Sequence, residues 1–327
     1  LAEVKNKKLI VDLLNKDLQD EHGAIIQYLY HAWTLDLPGI SDSLESIARE
    51  EMYHYQWLSR RISELGGDPS IGRSPVYFEA PSFKELISLN VKIENEAIAQ
   101  YEKHIEEVTD ETTQRLLKRI LHDEKVHREQ FVEMAEQVAE MEQEAEEEPR
   151  TPESEAKRQK LFDMLNQSVK EEYTAVLQYL HQAYTAKDAY FGHTMEQNAV
   201  TEMKHMGWLA EEVAERGGSL EVERDRVKLE ENKADMIKAD LDDEMNAIDA
   251  YQRRSEATED EEVRELFDRV RFHEEVHRDD LKELLEEAVE ETQSHDAESP
   301  EGTAKPKQRR PSGGLTVGSL LENKGRD

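Results

Sequence analysis

Residues 13–33, LLNKDLQDEHGAIIQYLYHAW, align with residues 164–184, MLNQSVKEEYTAVLQYLHQAY, at an offset of 151. Three further stretches repeat in the same order. IAREEMYHYQWLSRRISELGG (47–67) returns as NAVTEMKHMGWLAEEVAERGG (198–218), again 151 later. VKIENEAIAQY (91–101) returns as LDDEMNAIDAY (241–251) and LLKRILHDEKVH (116–127) as LFDRVRFHEEVH (266–277), both 150 later. A unit of roughly 135 residues has been duplicated, and whatever the chain folds into must be built twice.

Each copy reads as four amphipathic helices, over 7–36, 42–66, 82–109 and 112–142, then over 158–187, 190–217, 231–257 and 259–290. Short loops join the first two helices of a copy and the last two. A longer connection separates helix two from helix three: GGDPSIGRSPVYFEAPS in the first copy, GGSLEVERDRVKLEEN in the second. Short, long, short is the loop pattern of a four-helix bundle with one long crossover. The expected fold class is all-α, with two such bundles in tandem. Only 37% of the residues are apolar and 36% are charged, which suits helices that bury one stripe and wet the rest. The expected division is a first domain at 1–142, an acidic linker at 143–157, a second domain at 158–290 and a disordered tail at 291–327. Pro, Glu and Ser mark the linker, within AEMEQEAEEEPRTPESEAKR, and a similar polar composition marks the tail.

Steps of four and three residues along helix one select Leu14, Leu18, Glu21, Ile25, Tyr28 and Ala32. Helix two gives Leu44, Ile47, Glu51, His54, Leu58 and Ile62. Helix three gives Ile87, Val91, Glu94, Ile98, Tyr101 and Ile105, and helix four Leu117, Ile120, Glu124, His127, Phe131 and Met134. The second copy follows suit. Its stripes carry Glu172 with Tyr179, Glu202 with His205, Glu244 with Tyr251, and Glu274 with His277. Each stripe is largely apolar except at its middle, where a Glu or a Glu-x-x-His pair stands in a core position. Glu96 competes with Glu94 in helix three, but it lies two residues off the stripe and its counterpart is Asn246.

Ionised carboxylates inside a bundle are costly unless something compensates their charge. Two divalent cations would match four glutamates. Residues i and i+3 share a helix face, so the oxygen and nitrogen of Glu-x-x-His converge on one point. One Glu from each of two helices plus Glu-x-x-His from each of the other two is the ligand pattern of di-iron and di-manganese carboxylate bundles. The chain has no cysteine, and a mixed oxygen and nitrogen set favours Fe, Mn or Zn over Cu(I) or a cluster.

On these residues the chain resembles the ferritin-like superfamily, and within it bacterioferritin- and rubrerythrin-type bundles, over 7–142 and 158–290. The resemblance implies two iron ions per domain, with manganese as the alternative. It implies that Glu51 and Glu124 bridge the pair while Glu21, Glu94, His54 and His127 are terminal ligands. In the second copy Glu202 and Glu274 would bridge, and Glu172, Glu244, His205 and His277 would be terminal. The implied chemistry is oxidation of Fe(II) by O2 or H2O2. Tyr28 and Tyr179 stand where family members keep a tyrosine near the site, although a core aromatic with a satisfied hydroxyl is the preferred role for both. Met52 follows Glu51 and Met203 follows Glu202, where bacterioferritin-like proteins place a haem-ligating Met. Ordinary helix-contact methionines are the preferred reading, and haem is not expected. The other histidines, at 22, 31, 104, 122, 181, 193, 273 and 293, are read as structural or solvated. A closed storage cage is not expected either, because no short fifth helix follows helix four and the subunit is already a fused pair. That pair could act as an intrachain pseudo-dimer or within a homo-oligomer.

Near its C-terminus the chain carries Leu315, Thr316, Val317, Gly318, Ser319 and Leu320 behind a Gly/Pro/Ser-containing spacer. This segment is similar to the cargo-loading peptides that dock inside encapsulin shells. Alternate apolar side chains suit pockets, Gly allows close backbone approach, and the spacer gives reach. The expected function is a ferroxidase acting as cargo of an encapsulin nanocompartment in the cytoplasm, with the shell storing the ferric product. The alternatives are a peroxide scavenger of rubrerythrin or manganese-catalase type, and a non-catalytic metal buffer or scaffold. The net charge of −33 argues against nucleic acid as a partner. No apolar run approaches membrane-spanning length, and the first thirty residues carry no signal-peptide pattern.

Overall fold

The computed structural model describes residues 2–138 and 152–297, apart from residues 36, 38 and 231. Eight helices follow one another: α1 (Ala2–Thr34), α2 (Ile40–Glu64), α3 (Phe83–Glu107), α4 (Glu111–Val138), α5 (Pro152–Thr185), α6 (Ala189–Glu215), α7 (Lys233–Ala257) and α8 (Glu261–Ala297). There is no strand among the described residues. The chain divides into two units, Leu1–Glu155 and Ala156–Asp327. Each holds four helices in the short, long, short connectivity anticipated from the loops.

Three helix ends depart from the sequence expectation. α1 begins at Ala2, α5 at Pro152 and α8 ends at Ala297, each at least five residues beyond the expected limit. These extensions are polar and lack an apolar period, so the stripe gave no signal. Their Glu, Lys, Gln and Ala are nevertheless good helix formers. Pro152 takes the first helical position, where a missing N–H removes nothing the helix needs. Residues 139–151 and the stretch from 298 onward, including Leu315 to Leu320, lie outside the described residues.

The same devices punctuate both units. Ser82 caps α3 by accepting from the Glu85 amide at 3.2 Å, and Asn232 caps α7 by accepting from the Asp235 amide at 2.9 Å. α2 and α6 each run out into a Gly-Gly pair. The first glycine, Gly66 or Gly217, has a φ of +76° or +64°, the left-handed turn that closes a helix. The second serves close packing. A Cβ on Gly67 would stand 2.6 Å from Val11 Cγ1, and one on Gly218 would stand 2.6 Å from Phe162 Cε1.

From there an extended crossover is tied back to the first helix of its unit. Asn15 Nδ2 donates to Asp68 O at 3.1 Å, and Asn15 Oδ1 accepts from the Ser70 amide at 2.7 Å. Asn166 repeats both bonds, to Ser219 O and from the Glu221 amide, at 2.9 Å each. Further along, Gln27 Oε1 accepts from the Tyr77 amide and Gln178 Oε1 from the Lys228 amide.

All four helices of a unit contribute to its core. In the first unit Tyr28, Leu44, Ile47, Ile87 and Phe131 meet, none more than 2% exposed. In the second, Tyr179, Met195, Ile237 and Leu281 do the same. These layers cover one side of the glutamate level, so the polar centre of each bundle is walled by apolar packing.

Candidate dinuclear metal centres

Four helices deliver six side chains to the middle of the first unit. Glu21 comes from α1, Glu51 and His54 from α2, Glu94 from α3, and Glu124 and His127 from α4. None is more than 4% exposed. They form two overlapping groups, Glu21/Glu51/His54/Glu124 and Glu51/Glu94/Glu124/His127, each offering ligand atoms within 4.8 Å of one another. Glu51 and Glu124 belong to both. The second unit repeats the arrangement as Glu172/Glu202/His205/Glu274 and Glu202/Glu244/Glu274/His277. Glu202 and Glu274 are the shared members.

All four imidazoles present Nδ1 to the carboxylates. His54 Nδ1 lies 2.6 Å from Glu51 Oε2 and 3.0 Å from Glu124 Oε1, while His127 Nδ1 lies 2.8 Å from Glu51 Oε1. Glu51 thus turns one oxygen to each histidine. In the second unit both shared glutamates do so. His205 Nδ1 lies 2.8 Å from Glu202 Oε2 and 3.1 Å from Glu274 Oε1. His277 Nδ1 lies 2.8 Å from Glu202 Oε1 and 3.3 Å from Glu274 Oε2. These approaches are close but are not aligned as hydrogen bonds. Both oxygens of Glu51 and of Glu202, and Nδ1 of each of the four histidines, are buried without a hydrogen-bond partner. Convergent lone pairs of this kind fit a bound cation, and the oxygen-rich set with one nitrogen per position fits Fe, Mn or Zn.

The carboxylates set one another's protonation. Burial, and then the charges of Glu124 and Glu51, push the Glu21 and Glu94 carboxyls well above the usual range. Burial opposes the charge of Glu51 too, but His127 and His54 outweigh it and hold that carboxyl well below the range. His127 is raised to about 10, Glu51 prevailing over burial, and His54 is raised in the same way. In the second unit burial and then Glu274 raise Glu172 and Glu244, whereas His277 and His205 hold Glu202 down against burial. The protons on the unshared glutamates and the imidazoles are the charges that two divalent cations would displace.

A tyrosine restrains each glutamate that belongs to only one of the groups. Tyr28 donates to Glu94 Oε1 at 2.6 Å, and Tyr179 donates to Glu244. Tyr101 donates to Glu21 and Tyr251 to Glu172. The sequence marks Tyr101 and Tyr251 only as stripe residues, yet they hold the same relation to the site as Tyr28 and Tyr179. Sequence reasoning also missed what stands behind the histidines. His54 Nε2 lies 3.4 Å from Asp123 Oδ2, His127 Nε2 lies 3.0 Å from Glu50 Oε2, and His205 Nε2 lies 2.9 Å from His273 Nδ1. His273, read from the sequence as structural or solvated, is half-buried and stands behind His205. His22, His31 and His104 are buried: His22 and His31 are hydrogen-bonded to Gly72 O and Tyr77 O, and His104 Nδ1 lies 2.8 Å from the Asp17 carboxylate.

Glu96 is exposed and outside the cluster. It lines a cavity of about 240 Å³, together with Asp20, Ser74 and Gln100, that reaches Glu21 and Glu124. A cavity of about 270 Å³ reaches Glu172 and Glu274 in the second unit, past Asp225 and Asp243. Met52 and Met203 are half-buried.

Fold and site together define a duplicated four-helix bundle with a carboxylate–histidine cluster in each copy. The chain belongs to the ferritin-like family: the ferritin-like domain matches it twice, over residues 11–141 and 162–292. A bacterioferritin from Desulfovibrio desulfuricans is 30% identical over 133 residues, which are 37% of this chain and 71% of that protein. A 3-demethoxyubiquinol 3-hydroxylase from Alcanivorax borkumensis is 31% identical over 113 residues, 31% of this chain and about half of the hydroxylase (51%). Among solved structures, D. desulfuricans bacterioferritin, whose diiron site was captured in different catalytic states, is 24% identical. That match covers 42% of this chain and 83% of its own, with a TM-score of 0.40. A mycobacterial bacterioferritin is 27% identical over 40% of this chain and 85% of its own, with a TM-score of 0.38.

Proposed function

We propose that the chain is a ferroxidase, taking Fe(II) into both carboxylate–histidine clusters and oxidising it to Fe(III). The observation that carries this reading is the burial, in each unit, of four glutamates and two histidines whose lone pairs converge. In this reading Glu51 and Glu124 span the two metal positions of the first unit. Glu21 and His54 complete one position, Glu94 and His127 the other. Glu202 and Glu274 span the second pair, completed by Glu172 and His205 and by Glu244 and His277. Hard, anionic oxygen ligands favour Fe(III) over Fe(II), which gives the oxidation its direction. Each Fe(II) yields one electron. A filled pair therefore supplies the two that reduce O2, with two protons, to H2O2, or H2O2, with two protons, to two waters. Tyr28, Tyr101, Tyr179 and Tyr251 hold the terminal carboxylates in place, and the two cavities give Fe(II) a path lined by acidic side chains. The likeness to bacterioferritin supports iron over manganese.

The segment from Leu315 to Leu320 completes the proposal. Its alternating apolar side chains behind a polar spacer would load the chain into an encapsulin shell, where the ferric product is stored.

Two experiments test the halves separately. Aerobic Fe(II) addition should consume O2, and Glu51→Ala with Glu202→Ala should abolish that uptake. Rapid H2O2 dismutation by the Fe- or Mn-loaded protein, without net Fe(III), would sink the ferroxidase reading, and Fe(II) binding without O2 uptake would leave a metal buffer. Co-expression with an encapsulin shell protein should trap the full chain inside. Capture of a chain lacking residues 312–327 would refute the loading role.

A further inference from the structure

The two centres share their ligands but not what stands behind them. The Nε2 of His54 lies 3.4 Å from Asp123 Oδ2, whereas the Nε2 of His205 lies 2.9 Å from His273 Nδ1. Position 273 is the counterpart of 123, so the duplication has placed a carboxylate behind one histidine and an imidazole behind the other. The second histidine of each unit differs in the same sense. His127 Nε2 lies 3.0 Å from Glu50 Oε2. The counterpart of Glu50 is Thr201, whose hydroxyl donates to Gln197 O at 3.2 Å. A change of opposite sense is Asp280 in place of Gln130. Asp280 lies within electrostatic reach of His277, and no hydrogen bond joins the two.

A histidine that ligates through Nδ1 keeps its remaining proton on Nε2 and donates it there. A carboxylate accepting that proton orients the ring and increases its electron donation to the metal. Partners of this kind change metal affinity by about 10–100-fold. An imidazole has no negative charge to offer in either of its ordinary protonation states. His273 can orient His205, but it cannot add charge behind it. Glu50 is half exposed, with 55% of its side chain in solvent, so its contribution is the more screened of the two. Asp123, at 29%, is the better placed.

We propose that the N-terminal centre binds divalent metal more tightly than the C-terminal centre, because Asp123 backs His54 where His273 backs His205. The inference rests on the dinuclear-centre reading. Asp123 acts here as a positioning residue, through His54. The consequence is an ordered pair: the N-terminal centre fills first and retains its metal, and the C-terminal centre fills last and releases first.

The test is anaerobic titration of the full chain with Co(II), followed by visible absorption against a competing chelator. Two phases are expected, separated by about 10–100-fold in affinity. Glu202→Ala/His205→Ala should remove the weaker phase and Glu51→Ala/His54→Ala the tighter one. Asp123→Asn keeps an acceptor oxygen without the charge and should weaken the tighter phase about tenfold. In the otherwise unaltered chain, His273→Asp should draw the two phases together. A single affinity in the parent chain, or phases unmoved by both Asp123→Asn and His273→Asp, overturns the inference. Absence of ligand-field bands at every Co(II) concentration overturns instead the dinuclear reading beneath it.

Discussion

The Tyr28 hydroxyl donates to Glu94 Oε1 across 2.6 Å, joining α1 to α3 at the level where the bundle is most polar. Tyr101 makes the converse link, from α3 back to Glu21 on α1. Together they cross-brace the two helices that supply one glutamate each. Burial, and then Glu94 and Glu21 respectively, push both phenols well above their usual range, so each stays a donor.

Tyr101→Phe should leave a Glu21 oxygen buried without its donor. The expected cost is about 1–3 kcal/mol, read as a lower melting temperature of the metal-free protein. An unchanged melting temperature would mean that water replaces the hydroxyl.

Asp240 makes stability fall with rising pH. Burial raises its carboxyl from 3.8 to about 7, against the amides of Gln178 and Gln182 that favour its charge. The folded chain therefore holds this proton more tightly than the unfolded one. The stabilisation is full below pH 3.8 and lost as pH rises through 7. The ceiling on that loss is roughly 4 kcal/mol. Asp240→Asn, which installs the residue found at Asn90 in the first unit, should stabilise the protein above pH 7 and leave it unchanged near pH 4. Chemical denaturation across that range measures it, and a gain independent of pH would contradict this account.

His31 acts in the opposite sense. Burial lowers its pKa from 6.5 to about 4, so the unfolded chain takes up the proton first. Its stabilisation is present above pH 6.5 and lost as pH falls through 4, to the extent of roughly 3 kcal/mol. His31→Gln should flatten the dependence of unfolding free energy on pH in that window by about one proton. An unaltered slope would place the acid sensitivity elsewhere.

Divalent metal should raise the melting temperature by mass action. At a free concentration one hundred times the dissociation constant, one site adds about 2.7 kcal/mol. Co(II) should stabilise the parent chain and not Glu51→Ala/Glu202→Ala, with EDTA reversing the effect. Equal stabilisation of both proteins would locate the binding outside the clusters.

The twelve clustered side chains were legible because a carboxylate in an apolar stripe is conspicuous. Periodicity also separated Glu94, which is 1% exposed, from Glu96, two residues away and exposed. Asp123 and Glu50 were not legible, for a geometric reason. Each immediately precedes a cluster glutamate, so the helical period assigns it to the wet face. Each nevertheless reaches a histidine on a different helix: Asp123 on α4 meets His54 on α2, and Glu50 on α2 meets His127 on α4. The acidic residue just before Glu-x-x-His was the available signal. Helix limits at Ala2, Pro152 and Ala297 escaped because polar extensions have propensity but no stripe.

The repeat offset has a consequence for how the two centres can diverge. A homodimer built from one gene copy of the bundle would carry every substitution twice, so both centres would always change together. Here positions 123 and 273 are separate codons. One centre can drift towards a new metal, a new potential or no metal at all while its sibling keeps the original task. Covalent fusion turns an obligate symmetry into an option, and the aligned positions 123 and 273 already carry different residues, Asp and His.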